Sequence, residues 1–345
     1  MSKYKPKLLI CTPELIVDLP EGMGNLAGKL LNFKTGGMAD VNSTIIQAFA
    51  KDPDFELHVA VPNWQSSLRD LSELTERELK EMQEALHEYN YHLIKDASFN
   101  HVRIQGTNTM MYDDTTRFTS EDRAIAFNRG IINYVMPHVS PDVTWVSDWM
   151  LGLIPPAAKK RGIKSLATGH NIFTKFVGID EVIKSGIDLR EFNGNLYFGE
   201  NNDVDLLATE IFASDYFTTV SPTFLEELGS GKYDAIVPKA VLQEIRNKIQ
   251  TGRAKGILNP RQETQSRFLE QIREDGLQDM VLRREKNTRR LRELIGLRDT
   301  GGPILVFPNR LFQDRKILSS HFINQENFQK DTVCNSCFWQ MAQNN

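Results

Sequence analysis

The densest group of chemistry-bearing residues near the N-terminus is Lys34-Thr35-Gly36-Gly37, followed one turn later by Asp40. Adjacent glycines let backbone N–H groups approach an anion, and a lysine beside a helix start adds positive potential. Asp40 is suited to hold such a loop through N-terminal helix amides. Two readings stand for this stretch: a phosphate cradle, or a glycine turn that merely begins a helix. The order GxxxxGK[ST] is absent, so it is not a P-loop, and Gly22-Met23-Gly24 does not make a dinucleotide fingerprint. His170 ends a strand-like run and precedes Asn171, which suits a site residue or a satisfied sheet-end histidine. Cys334-Asn335-Ser336-Cys337 has the spacing of half a zinc site, but no second pair exists and His321 lies thirteen residues upstream. Exposed tail cysteines are the better reading there, and no metal is expected. His58 and His101 fall inside or beside strands and read as structural or surface residues. His87, His92 and His138 have no partner identifiable from spacing.

Positioning these groups requires a sheet. KLLICT at 7–12 is a compact apolar run of the buried parallel-strand type, and ELHVAVP at 56–62 is a second. Between them, Ala39, Ile46 and Phe49 mark the first helix. Thr75 with Glu78 opens a helix with Leu79, Met82, Leu86 and Tyr89 on one face. HVRI at 101–104 is a short strand. A further helix begins at Thr119, shows Ala124, Phe127, Ile131 and Val135 on one face, and is limited by Pro137. VTWVS at 143–147 and IKSLAT at 163–168 read as strands around a helix at 152–161. A helix at 203–214 then leads to strand YFTTV, and Pro222 suits the first turn of the next helix. Trp145 and Trp149 share a parity with Val143 and Ser147, so part of this stretch must be a strand-end loop; Trp145 reads as core and Trp149 as a pocket residue. Alternation of strands and helices predicts an α/β fold with a mostly parallel sheet. Residues 261–297, rich in Arg, Glu, Gln and Leu, predict long helix, 301–310 one more strand, and 317–345 an irregular tail.

The chain has 345 residues, a net charge of -4, 40% hydrophobic and 25% charged residues, values of an ordinary globular protein. No basic stripe offers itself to phosphate backbones, so no nucleic-acid partner is expected. Three cysteines imply no disulfide framework. Prolines and acids interrupt the first apolar run before a signal core or membrane span forms, so the expected location is cytoplasmic, without a membrane partner.

Several stretches, in order, resemble the glycogen and starch synthases. KTGGMADV (Lys34 to Val41) is similar to their KTGGLADV signature, and TTVSPTFLEEL (Thr218 to Leu228) to TTVSPTYAxEI. VTWVSDWMLGL (Val143 to Leu153) resembles HAHDWHxGL, and TGHNIFTKF (Thr168 to Phe176) resembles TxHNxxxxG. GILN (Gly256 to Asn259) and PNRLFQDRK (Pro308 to Lys316) resemble GILNGID and SRLxxQKG. The resemblance implies a GT-B-type glycosyltransferase: two facing Rossmann-like domains, with an N-terminal domain at 1–260, a helical connector at 261–300, and a truncated C-terminal domain with irregular tail at 301–345.

It further implies an ADP-glucose or UDP-glucose donor, an α-1,4-glucan acceptor, retention of configuration and no cofactor. On matching positions Lys34 and the Gly36 and Gly37 amides meet the donor diphosphate, Asp40 supports the loop or donor sugar, and Asp148 with Trp149 shapes the pocket. His170 and Asn171 line the acceptor side, while Arg310 and Arg315 hold the leaving diphosphate. Departures are also present. Ser147 and Met150 stand where the family carries histidines, Pro260 and Gln262 alter GILNGID, and Ala208 falls at the lysine of FLKAG. The alternatives are therefore a catalytically inactive paralogue that binds glucan or a partner, or half of a split transferase joined by a separate C-terminal half or by a second copy.

Overall fold

The computed structural model describes residues 4–18, 30–32, 37–62, 77, 91–94, 120–199, 201–260, 278–279, 281–294 and 296. The chain divides into two units, Met1–Pro260 and Arg261–Asn345. In the second, residues 281–294 are helical and largely exposed. The expectations for 101–104, 301–310 and the tail lie outside the described residues, as does all but Arg77 of the helix expected from Thr75.

In the first unit, β1 (Lys7–Cys11), β4 (Glu56–Pro62), β5 (Tyr91–Ile94), β6 (Val143–Ser147), β7 (Lys164–Gly169), β10 (Tyr216–Thr219) and β11 (Ala254–Gly256) form one sheet in the order β11-β10-β7-β6-β1-β4-β5. Every neighbouring pair is parallel. Helices lie in the crossovers among the described residues, so this is an α/β fold with a Rossmann-like parallel sheet. Leu8, Leu9, Ile10 and Cys11 are all buried, because β1 sits mid-sheet with helices over both faces. Two small antiparallel pairs stand outside the sheet: β2 (Ile16–Asp18) with β3 (Leu30–Asn32), and β8 (Phe176–Val177) with β9 (Val204–Asp205).

Three local features depart from the sequence expectation. The helix Ser120–Gly130 does not stop before Pro137: it passes through a π-turn, Ile131–Val135, into Met136–Val139. The Met136 N–H reaches back to the Ile131 carbonyl, and this widened turn admits Pro137 at a helix start, where its missing N–H matters least. Residues 203–214 are not one helix. Val204–Asp205 pairs with β8, and Asp205 then caps the helix Leu206–Ala213, accepting from the Ala208 N–H at 2.9 Å. Strand β5 was not anticipated, and its His92 finds a partner across the sheet: His92 Nε2 lies 3.1 Å from Nδ1 of buried His58, whose Nε2 is 2.8 Å from Glu56 Oε1.

Among the described residues, no helix is long and apolar enough to cross a membrane. Gly152, which ends the turn Trp149–Leu151, packs on the start of the helix Leu206–Ala213, where an added Cβ would lie 2.2 Å from the Leu206 carbonyl oxygen. Backbone opposes backbone there, so nothing can rotate away. Gly152→Ala is expected to cost about 3 kcal/mol in urea denaturation, whereas Gly37→Ala, with nothing among the described residues within 4 Å of its Cβ, stays within about 0.5 kcal/mol.

Candidate functional site

Strand order reverses at β1. Later strands are added on one side as β4 and β5, and on the other as β6, β7, β10 and β11. The carboxyl ends of β1 and β6 therefore flank the switch point, where open α/β sheets leave a crevice for ligands. The loop leaving β1 is tied to the helix Gly37–Ala50. Asn42 Nδ2 donates to Thr12 Oγ1 at 2.7 Å, Thr12 Oγ1 donates to the Glu14 carbonyl at 2.7 Å, and the Ile16 N–H donates to Ser43 Oγ at 2.8 Å. These bonds hold the start of that helix beside the crevice. Gly37 opens it and is exposed, and partly buried Asp40 lies in its first turn. Lys34, Thr35 and Gly36 lie outside the described residues, as do Arg310 and Arg315.

Asp148 and His170 are brought together. β6 ends at Ser147, and Asp148 takes φ 61° and ψ 169°, a region that non-glycine residues enter at a cost of about 1–3 kcal/mol. The turn sends its carboxylate to the end of β7. Oδ1 accepts from the His170 N–H at 2.7 Å and the Asn171 N–H at 3.0 Å, while Oδ2 accepts from Asn171 Nδ2 at 3.3 Å. In return the Asp148 N–H donates to the Thr168 carbonyl at 3.1 Å. Gly169 makes the turn possible, since a Cβ there would lie 2.6 Å from Ile172 Cδ1 and 2.9 Å from Phe217 Cζ. Asp148 thus positions the His170-Asn171 backbone from a buried site.

Trp149, expected to line a pocket, is core, and Trp145 packs against the same core from its margin. Trp149 is fully buried in the core, whereas Trp145 is only partly buried and donates from Nε1 to Thr168 Oγ1 at 2.8 Å. The reason is the turn at Asp148, which ends the strand and rolls Trp149 inward under the helix Leu206–Ala213.

Electrostatics at the site follow from burial. Loss of water raises the Asp148 carboxyl to about 7 against the pull of its three hydrogen bonds, and the Glu14 charge adds to the rise. Burial lowers the His170 imidazole to about 4, with Glu14 opposing, so near neutral pH it is uncharged. Its Nε2 is buried with no hydrogen-bond partner among the described residues. Glu210 is fully buried, and neither of its carboxyl oxygens has such a partner. Burial first and Asp148 second push its carboxyl well above the ordinary value. Glu14 and Glu210 escaped the sequence reading. A lone acid inside the apolar run LLATEIFA was the available signal for Glu210, and an acid just past the first strand was the signal for Glu14. The uncharged, partly buried His170 imidazole can exchange hydrogen bonds with a hydroxyl-rich ligand, whereas the Asp148 and Glu210 carboxyl groups are enclosed. Among the described residues no group of three or more His, Cys, Asp or Glu could hold a metal ion.

Two outcomes are expected. Asp148→Ala strands two amides and should lower stability by about 2–4 kcal/mol, while Asp148→Asn, which keeps an acceptor, should cost less than half of that in the same denaturation series. Glu210 holds its proton in the fold above the pH at which the unfolded chain releases it, so it destabilises the protein as pH rises through the unfolded value, 4.5. Glu210→Gln should therefore raise stability by about 1–3 kcal/mol at pH 7.5 and converge on the parent near pH 4, as read by thermal melts across pH.

Among known proteins, the glycogen synthase of Fusobacterium nucleatum is 26% identical over 217 residues, covering 56% of this chain and 44% of that one. The glycogen synthase of Oceanobacillus iheyensis is 28% identical over 224 residues, with coverages of 59% and 44%. That of Lactococcus lactis is 24% identical over 253 residues, with 66% and 50%. The chain spans about half the length of the curated relatives it matches. Among solved structures, the catalytic domain of starch synthase IV from Arabidopsis thaliana bound to ADP and acarbose is similar at a TM-score of 0.48 and 14% identity, over 74% of this chain and 52% of that one. The family described as the starch synthase catalytic domain matches residues 29–243, from just before β3 into the helix Lys239–Gln250, a span that takes in both Asp148 and His170. With well over half of its length inside that match, the chain belongs to the starch synthase catalytic domain family.

Proposed function

We propose that the chain carries the acceptor-side half of a GT-B glycosyltransferase that moves glucose from ADP-glucose or UDP-glucose to the non-reducing end of an α-1,4-glucan. The observation that carries this reading is the family match over residues 29–243, centred on a switch-point crevice where Asp148 latches the His170-Asn171 turn. In this reading Lys34 and the amides of Gly36 and Gly37 take the donor diphosphate, and Asp40 steadies the loop or the donor sugar. His170 and Asn171 face the acceptor. Arg310 and Arg315 meet the leaving diphosphate. Departure of a nucleoside diphosphate builds negative charge, which preorganised amides and cations stabilise more in the transition state than in the ground state. A neutral His170 supplies a hydrogen bond to a sugar hydroxyl, a role that does not need an imidazolium.

A second reading has its own support. Buried Ser147 and Met150 replace two histidines of the family pattern, which removes two ionisable groups from the segment next to Asp148. In that reading the chain binds glucan or a partner without turnover, or works with a separately encoded C-terminal half or a second copy. A labelled-glucose transfer assay with glycogen primer separates the two. Transfer from ADP-glucose or UDP-glucose that falls at least about a hundredfold in Lys34→Ala is expected of the transferase. No transfer by the parent chain, together with retention on immobilised glycogen, would sink the stand-alone transferase and leave the binding protein.

A further inference from the structure

A buried contact on the far flank of the sheet serves neither the crevice nor the latch. His58 of β4 and His92 of β5 are both buried, and their rings stack with centroids 5.4 Å apart and planes 19° from parallel. His58 Nδ1 faces His92 Nε2 at 3.1 Å, and the other nitrogen of His58, Nε2, lies 2.8 Å from Glu56 Oε1. Among the described residues β5 is the last strand on its side of the sheet, so its only sheet neighbour there is β4. The histidine contact is a side-chain tie across that one pairing. Charged and titratable groups face it from the elements packed around it. Lys7 Nζ of β1 lies 3.9 Å from Glu56 Oε1 and donates to the Val139 carbonyl at 3.1 Å. His138, on the helix Met136–Val139, meets His92 edge-on with centroids 6.3 Å apart. Asp142, just before β6, accepts from the Lys7 N–H and from the Tyr4 hydroxyl, each at 2.7 Å.

Proton counting fixes what this tie can do. The Glu56 carboxylate is an acceptor, so it calls for a proton on His58 Nε2. Uncharged His58 then keeps its lone pair on Nδ1, and His92 must donate its Nε2–H to it. One added proton is accommodated. It sits on His92 Nδ1 with the bond unchanged, or on His58 Nδ1 with the bond reversed and His92 accepting. A second added proton leaves N–H facing N–H at 3.1 Å, with two charges in a buried contact. The closed pair therefore holds at most one charge and titrates as a unit. Burial lowers the His58 imidazole, Glu56 opposes the lowering, and Lys7 and His138 add to it. Held below its ordinary value of 6.5, His58 binds fewer protons folded than unfolded. The stability it contributes is thus present above that value and is lost as pH falls below it.

We propose that His58 and His92 form a proton-operated clasp that holds strand β5 against β4 while the pair carries at most one charge and releases it on acidification. Hydrogen–deuterium exchange of the full chain tests this, read by mass spectrometry on peptides from β5 and β1 at about pH 7.5 and pH 5 and corrected for the intrinsic pH dependence of exchange. In the parent, protection of β5 should fall about tenfold between the two conditions while that of β1 holds. The double variant His58→Phe/His92→Phe keeps two stacked rings without an imidazole, and there the fall should vanish. His92→Gln decides by the same criterion if the double variant does not fold. Its amide donates to neutral His58 Nδ1 or, turned over, accepts from charged His58, so the tie takes up a proton without parting. His138→Gln leaves the tie in place and should keep the fall. Equal β5 protection at both pH values in the parent overturns the clasp, as does an equal fall in β1, which marks general unfolding. A parental fall in the folded replacement variant, or its loss in His138→Gln, overturns it too.

Discussion

A buried carboxylate with an unfavourable backbone conformation holds the crevice together. Asp148 joins the ends of β6 and β7 because its side chain accepts from two consecutive backbone N–H groups that would otherwise be stranded at the top of the sheet. Neither strand end can shift without uncovering a polar group, and an unmatched buried amide costs about 1–3 kcal/mol. The positive φ at Asp148 is tolerated for the same reason: three hydrogen bonds over-determine it. The placement of His170 and Asn171, the inward roll of Trp149 and the packing of Gly152 against the Leu206 carbonyl follow from this turn.

The latch sits in an acidic neighbourhood. Glu14 adds to the rise at Asp148 and works against the lowering at His170, and Asp148 in turn pushes Glu210 upward. Asp148 and Glu210 favour their neutral forms, chiefly because both are dry and also because a nearby like charge repels their own. The consequence is a crevice wall of hydrogen-bonding groups carrying little net charge on the β7 side. Positive charge for an anionic ligand must then come from elsewhere, and Lys34, Arg310 and Arg315 are the residues proposed for it.

The strand pair that carries Phe176 obeys a different logic. It is built from β8 and β9, outside the main sheet, and its rigidity comes from Thr174 and Asp205 rather than from Asp148. The latch and the strand pair are joined by one short stretch of chain, since the Asn171 N–H donates to Asp148 and Thr174 bonds to Asp205.

Much of the parallel architecture was legible in the residue pattern, because buried strands leave continuous apolar runs: KLLIC, ELHVAVP, VTWVS and YFTT all became strands of one sheet. The motifs around Asp148, His170 and Ser221 were legible too, and Ser221 caps its helix with Pro222 in the first turn. By itself, then, the sequence determined the α/β class, most of the strands of the main sheet and the family, all of which are properties of local pattern. Only the tertiary structure decided that Trp149 is core, that His92 meets His58, that Pro137 is absorbed by a π-turn, and that Glu210 is enclosed beside Asp148. Each of those outcomes depends on a backbone turn or on a partner distant in sequence, and neither spacing nor hydropathy carries that information.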